Sequence, residues 1–403
     1  MNPFHFPYKK SLAFLTLLTT LACNEVSQQN PQTSLPATTE KFAVIATSEP
    51  SWTGSGAHSV VSLKKPRTAV NDILPTDTTD IGISCNGSSF YRMERRSGNG
   101  NITKFDINTP DQPIYQFSTD DPGLPSNPVA IMFVNEHKAY VIRNMTNEIW
   151  IVNPSATTEA TFKTGTIDLS QYTPAGAATP NMNNGVIVGN KLFVLVQRLD
   201  ASWAPSLSSY IAVFDTSTDQ EIETYQESGG LKGIELDVRN PYGKLVYNSG
   251  KLYVAGTIWP DNPGWETTTW TDYKAYSGIQ KVDAATYVVD HNIIYNSIHP
   301  ITYLEIVSPT KGYFVSYTSA GNTSLLSFNP STSVVSTNPV AGIGSSGDRD
   351  ITDIQLDSEG KLWVADNSTI APGLYIINTD DDTLDEGPIT TGLNPKAITF
   401  CEK

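Results

Sequence analysis

Asn394-Pro395-Lys396-Ala397-Ile398-Thr399-Phe400, near the end of the chain, repeats the pattern of Asn127-Pro128-Val129-Ala130-Ile131-Met132-Phe133 far upstream. Both are short, largely apolar segments with a Pro near their start, a place where a strand tolerates one. After Phe133 the chain turns and continues into a second strand, whereas only Cys401, Glu402 and Lys403 follow Phe400. The C-terminal copy is therefore the first strand of a unit whose remaining strands lie elsewhere.

Working outward, five segments share a hairpin in which an apolar strand meets a polar turn, then a Lys or small residue, an aromatic and a Val. They are residues 133–141 (FVNEHKAYV), 186–194 (VIVGNKLFV), 245–254 (LVYNSGKLYV), 306–315 (IVSPTKGYFV) and 354–364 (IQLDSEGKLWV). Each is followed by a further apolar strand closing in Asp or Asn before a turn: IWIVNPSATT, YIAVFDTST, IQKVDAAT, LLSFNPSTS and LYIINTDDD. Looser copies occupy the neighbourhoods of residues 42–68 and 90–111. Apolar strands punctuated by Gly, Pro, Asn and Asp make the folded part all-β. The Val positions 141, 194, 254, 315 and 364 lie 49 to 61 residues apart, enough for four strands per unit and the spacing of propeller blades.

Six complete units start near Asp80, Asn127, Asn183, Asn240, His299 and Asp350, and an N-terminal unit lacks its first strand. The segment at Asn394 supplies the missing strand. The expected fold is a seven-bladed β-propeller closed by pairing of N- and C-terminal segments in one blade, which removes the free edges of an open array.

The Asn-Pro strand, the Lys-x-aromatic-Val strand and the apolar strand ending in Asp resemble the blades of YVTN and surface-layer-type seven-bladed propellers. The likeness covers nearly all of residues 41–402. It implies the fold and leaves the function open, because such propellers serve many functions. In the aligned copies Cys85 and Cys401 share one position at the end of inner strands in neighbouring blades. They are either a disulfide that locks the ring or two buried thiols.

Lys9 and Lys10 precede an apolar run from Leu12 to Leu18 that is too short to span a bilayer. Thr20-Leu21-Ala22-Cys23 resembles the lipobox of bacterial lipoproteins, although Thr20 departs from the usual Leu. The resemblance implies a signal peptide over residues 1–22, lipidation of Cys23 and outer-membrane sorting, with 23–40 as a flexible tether poor in large apolar residues and 41–403 as the propeller. The alternative is an ordinary secretory signal. The chain of 403 residues has 26 basic and 41 acidic side chains. Without Lys9 and Lys10 the balance is 24 against 41, about −17, which disfavours nucleic acid and anionic membrane surfaces. Contact with the membrane is expected only through the lipid.

Five of the seven tryptophans fall in three long loops expected on one face: Trp52, Trp203, and Trp259, Trp265 and Trp270 beside Tyr273 and Tyr276. Aromatic rings among Asp, Asn and Thr suit stacking on a flat or ringed ligand with hydrogen bonds to its edges, and equally suit packing of the loops on one another. Arg198, with Arg95, Arg96, Arg143 and Arg239, lies near that face and could meet an anionic group. Asn127, Asn240, His299 and Asp350 begin inner strands, where convergent oxygens could hold calcium; Asn before Pro also simply forms turns. No zinc-binding His pair, nucleophile elbow or phosphate loop is present.

The expected function is an envelope propeller that binds a small molecule, a glycan or a partner protein on its aromatic face. Some propellers of this type are cobalamin-binding lipoproteins that feed an outer-membrane transporter, and the tether and loops look similar. The alternatives are a metal-dependent lactonase or lyase and a protein-interaction scaffold or adhesin.

Overall fold

The computed structural model describes residues 41–402 apart from 51–53, 96–98, 227–228, 259–273, 296–299, 320–321 and 344–348. Seven antiparallel sheets follow one another round the chain. Blade 1 contains β1 (Phe42–Ser48), β2 (Gly56–Ser62) and β3 (Ala69–Thr76). Blade 2 holds β4 (Ile81–Asn86), β5 (Ser89–Glu94), β6 (Asn101–Asp106) and β7 (Thr109–Ser118), and blade 3 holds β8 (Pro128–Asn135), β9 (Lys138–Arg143), β10 (Glu148–Val152) and β11 (Lys163–Asp168). Blade 4 runs through β12 (Met182–Val188), β13 (Lys191–Val196), β14 (Tyr210–Asp215) and β15 (Ile234–Glu235), and blade 5 through β16 (Val246–Asn248), β17 (Lys251–Gly256), β18 (Gly278–Asp283) and β19 (Val289–Ile294). Blade 6 has β20 (Ile301–Ser308), β21 (Lys311–Ser319) and β22 (Asn322–Phe328); blade 7 has β23 (Ile351–Leu356), β24 (Lys361–Asp366), β25 (Gly373–Asn378) and β26 (Thr383–Ile389). The last strand, β27 (Asn394–Cys401), pairs with β1 as the inner strand of blade 1.

The closure expected from the C-terminal repeat is thus present. Phe42 faces Cys401, Ile45 faces Ile398 and Ser48 faces Asn394, with a bulge after Ala46. The inner strands touch in turn from β27 through β4, β8, β12, β16, β20 and β23 and back to β27. Cys85 and Cys401 form a disulfide across the closing junction, with their Cα atoms 5.2 Å apart, inside the range a bridge requires.

The Lys-x-aromatic-Val segments are the second strands of their blades. Five of the six residues of β9, β13, β17 and β24 are buried. Blades stack face to face, so a middle strand is covered on both faces and reads as a continuous apolar run rather than an alternation. Phe193 and Leu195 pack toward blade 5, while Leu192, Val194 and Val196 pack toward blade 3.

The Lys and the aromatic of this motif also join blades. Lys138 and Tyr140 in blade 3 both reach Asp219 in blade 4, the ammonium at 2.7 Å and the phenol donating at 2.5 Å. Lys311 and Tyr313 in blade 6 hold Asp382 in blade 7 in the same way, with Lys311 at 2.7 Å. Asp219 and Asp382 occupy the left-handed position of the turn after the third strand, at φ 58° and 61°. In blade 5 that position is Tyr287, and Lys191 of blade 4 lies 4.6 Å from its ring centroid, a cation–π contact in place of the ion pair.

Blade 5 departs from the repeat. Pro241 pairs with Gly256 in an isolated bridge, and the regular inner strand begins only at Val246. Between them Gly243 takes φ 97° and lies against the backbone of β20; a Cβ there would come within 2.5 Å of the Thr302 carbonyl oxygen. After this break Lys244 reaches Asp353 and Gln355 of blade 7.

Candidate functional site

The loop joining the second and third strands of blade 4 (197–209) and the described ends of the corresponding loop of blade 5 (257–258 and 274–277) emerge on one face, together with the link from β15 to β16. Where they meet is a cleft of about 240 Å³ lined by Ser208, Glu235, Asp237, Arg239 and Tyr276. Arg239 lies flat over Tyr276, its guanidinium carbon 3.6 Å from the ring centroid. Its Nη1 donates to the carbonyl oxygens of Pro205 at 3.2 Å and Ser206 at 2.9 Å. The arginine therefore clamps the blade 4 loop while presenting charge to the cleft.

The Asp237 carboxylate is also held in place. Gln280, fully buried on β18, donates to its Oδ2 at 2.6 Å and accepts from its backbone N–H at 2.9 Å. The ring of His291 lies 2.8 Å from the same oxygen. A second, more polar hollow of about 620 Å³ shares Ile293 with the cleft and continues past Asp290, His291 and Asn292 toward Ser331. The two hollows adjoin along the outer strand of blade 5. Carboxylates that accept, an arginine that donates and an aromatic ring are the groups needed to bind a hydroxylated, ringed molecule.

Among the aromatic residues expected at this face, Tyr276 lines the cleft, and Trp203 is also described. It is 52% exposed at φ 63°, on the loop whose carbonyls bind Arg239. Asp200 shapes that loop by accepting from the N–H groups of Ser202 and Ala204 and from the Ser206 hydroxyl. Burial pushes the Asp200 carboxyl up, but these hydrogen bonds outweigh it and hold it below the usual range. Trp52, Trp259, Trp265, Trp270 and Tyr273 lie outside the described residues, as do Arg96, His299 and Cys23.

Arg198 donates to the carbonyls of Tyr172 and Ser208, bracing the loop beside the cleft. Arg143 is completely buried, paired with Asp121 at 2.6 Å and stacked on Trp150, so it holds blade 3 together rather than meeting solvent. Arg95 pairs with Asp80.

Of the inner-strand residues expected to converge on a cation, Asn240 and Asp350 have internal partners. Asn240 is buried with its amide engaged at both ends, accepting from Gln197 at 2.6 Å and donating to the Thr257 carbonyl at 2.7 Å. Asp350 accepts from the amide of Asn367 at 2.6 Å. Asn127 sits at φ 50°, and its buried Oδ1 has no hydrogen-bond partner. Among the described residues no group of three or more His, Cys, Asp or Glu is placed to hold a metal ion.

Sequence patterns missed Ser208 on the blade 4 loop, Glu235 and the hollow along β19 on the outer strands of blades 4 and 5, and Asp237 in the link from β15 to β16. Pattern reading finds what recurs, and these positions lie outside the recurring hairpin.

No family model matches the chain, and no curated protein matches it. The fold is similar to solved structures of a candidate 6-phosphogluconolactonase from Bacteroides fragilis (10% identity, TM-score 0.57, covering 91% of this chain and 99% of that one) and of another from Bacteroides uniformis (12%, 0.55, 90% and 100%). A protein from Lactobacillus plantarum is similar to the same degree (13%, 0.54, 90% and 99%). At such identities the likeness establishes the fold and nothing finer.

Proposed function

We propose that this propeller is a binding protein of the bacterial cell envelope, exported through its N-terminal signal and anchored by a lipid on Cys23, which captures a hydroxylated ringed molecule in the cleft between blades 4 and 5. The observation that carries the reading is the Arg239–Tyr276 stack facing an Asp237 carboxylate that buried Gln280 holds in place. A donor, an acceptor and an aromatic face are thereby fixed at a cleft before any ligand arrives, which lowers the cost of ordering them on binding. The disulfide supports export, since such bonds persist in oxidising compartments. In the sequence the tryptophan-rich loop of blade 5 ends beside Tyr276 of this cleft.

The test is a calorimetric and thermal-shift screen of the full chain against neutral oligosaccharides, cyanocobalamin and glucono-δ-lactone. A ligand that binds only the folded state raises its melting temperature. A hit is expected to weaken at least about tenfold in both Arg239→Ala and Asp237→Asn, since each removes a charge-assisted hydrogen bond worth about 1.5–3 kcal/mol. Hits that both variants retain would move binding elsewhere on the molecule. Turnover of the lactone that survives both changes would replace the binding reading by a lactonase one, the activity named for the structurally similar Bacteroides proteins.

A further inference from the structure

The cleft between blades 4 and 5 is small for the ligand it is built to hold. Its volume of about 240 Å³ falls below the range of about 300–1,000 Å³ that small-molecule pockets usually occupy. Past Ile293, which lines both spaces, the hollow of about 620 Å³ continues along β19 to Ser331 and Ser333 in the turn after β22. Room for a longer molecule therefore lies on one side of the cleft, across a single apolar side chain.

The charges in the hollow are balanced within it. The Lys281 ammonium lies 2.9 Å from Asp290 Oδ2 and donates to the Pro330 carbonyl at 3.3 Å. The other Asp290 oxygen accepts from the backbone N–H and from the Nδ2 of Asn292, both at 3.0 Å. Among the described residues, the Nε2 of His291, the Oδ1 of Asn292 and the hydroxyl of Ser333 have no hydrogen-bond partner. An anion would meet no free cation here and would lie beside Asp237 and Asp290. A chain of hydroxyl groups can donate or accept at each of the three open groups.

The junction between the two spaces is held in place. Asp237 lines the cleft and His291 the hollow, and the imidazole Nδ1 lies 2.8 Å from the carboxylate that the fully buried Gln280 anchors. Their spacing is thus set before a ligand arrives, which lowers the cost of ordering them.

We infer that the hollow is a second subsite of the cleft and that the ligand is a neutral oligosaccharide, with one sugar at Tyr276 and the following sugars crossing Ile293 along β19. This rests on the binding reading of the cleft and narrows it from ringed molecules in general to a linear chain of sugars.

The experiment is calorimetry of the full chain with D-glucose, D-mannose and D-xylose and with their linear β-1,4-linked oligomers of two to six units. For the sugar that binds, affinity is expected to rise at least about tenfold from monomer to tetramer and then to level off as the hollow fills. Asn292→Ala combined with Ser333→Gly, the glycine suiting φ 61° at that position, removes two open groups from the hollow. The gain with length should then shrink by about two- to tenfold for each hydrogen bond lost, while the monomer binds as in the parent and so reports an intact fold. Arg239→Ala should weaken every length alike. Equal affinity for monomer and oligomers, or a gain that the double variant keeps in full, would overturn the second subsite and leave the cleft reading standing. Oligomer binding that Arg239→Ala leaves intact would overturn the cleft reading and the spanning chain with it, as would the absence of binding by every sugar.

Discussion

Glu305 and His58 show how burial sets two titrations of opposite sign. His58, fully buried between Phe90 and Phe105, is lowered to about 3 by burial first and by Arg92 second, while the Pro110 carbonyl opposes the shift. The folded protein keeps it neutral while the unfolded chain protonates near 6.5. Its contribution is complete above pH 6.5 and is lost at about 1.4 kcal/mol per pH unit as pH falls toward 3. Glu305 behaves oppositely. Raised from 4.5 to about 7, it is neutral in the fold where the unfolded chain ionises, so its stability is complete below pH 4.5 and is lost as pH rises to 7. Glu305→Gln is therefore expected to be more stable than the parent by about 2–3 kcal/mol at pH 8 and equal to it at pH 4. Urea unfolding at the two pH values measures this, and equal midpoints at pH 8 would contradict it. Glu305 could be suspected in the sequence as the one charge in the apolar strand Ile301–Ser308. The charges that act on it could not, because Lys244 and Asp353 approach it from other blades.

At the scale of the strand, the Lys-x-aromatic-Val motif has two duties, and each part of it answers to one. The Val and its neighbours are buried between blades, while in blades 3, 4 and 6 the Lys and the aromatic face the turn of the following blade. Tyr140→Phe removes the phenol that donates to Asp219 and is expected to cost about 1.5 kcal/mol, a hydrogen bond to a charged group. In a double-mutant cycle with Asp219→Asn the two losses should be less than additive by about 1 kcal/mol, read from denaturant midpoints. Additive losses would mean that the contact carries no coupling. Trp363 is the equally buried counterpart in blade 7. It is 0% exposed, donates to Asp357 at 2.8 Å and meets Phe400 of the closing strand edge-on. Trp363→Ala should cost about 3–5 kcal/mol. The repeat was visible in the sequence because the second strands of blades 3, 4 and 6 meet the following blade at the same position. Blade 5 was legible only in part, since its inner strand yields to the turn at Gly243 that delivers Lys244.

Across the whole molecule the ring is closed by hydrogen bonds of β27 to β1 and by the Cys85–Cys401 disulfide, which joins residues 316 apart in sequence. Crosslinking positions so distant removes considerable chain entropy from the unfolded state, and Cys401→Ser is expected to cost about 2–4 kcal/mol. Melting temperatures with and without reductant should differ in the parent and coincide in the variant. Removing residues 394–403 should do more, exposing both β1 and the flank of β4 to solvent. Loss of the cooperative transition in that truncation, by circular dichroism, is the expected result.

The sequence by itself determined the number of blades, the order of strands within them and the identity of the closing strand. These depend on local patterning that recurs along the chain, and a seven-residue match between Asn127 and Asn394 was enough to close the ring. It also placed Trp203 and Arg239 on one face, because loop positions follow from strand positions. Only the tertiary structure decided which polar groups meet. The cleft joins Arg239 to Tyr276 and Asp237 to Gln280, and the channel joins Lys244 to Asp353 across a blade. Such pairings follow from the curvature of the ring and from irregular links, and these leave no period in the sequence. The same reason separates Cys85–Cys401, which repeat alignment could bring to one level, from Glu305, whose neighbours no alignment of blades brings together.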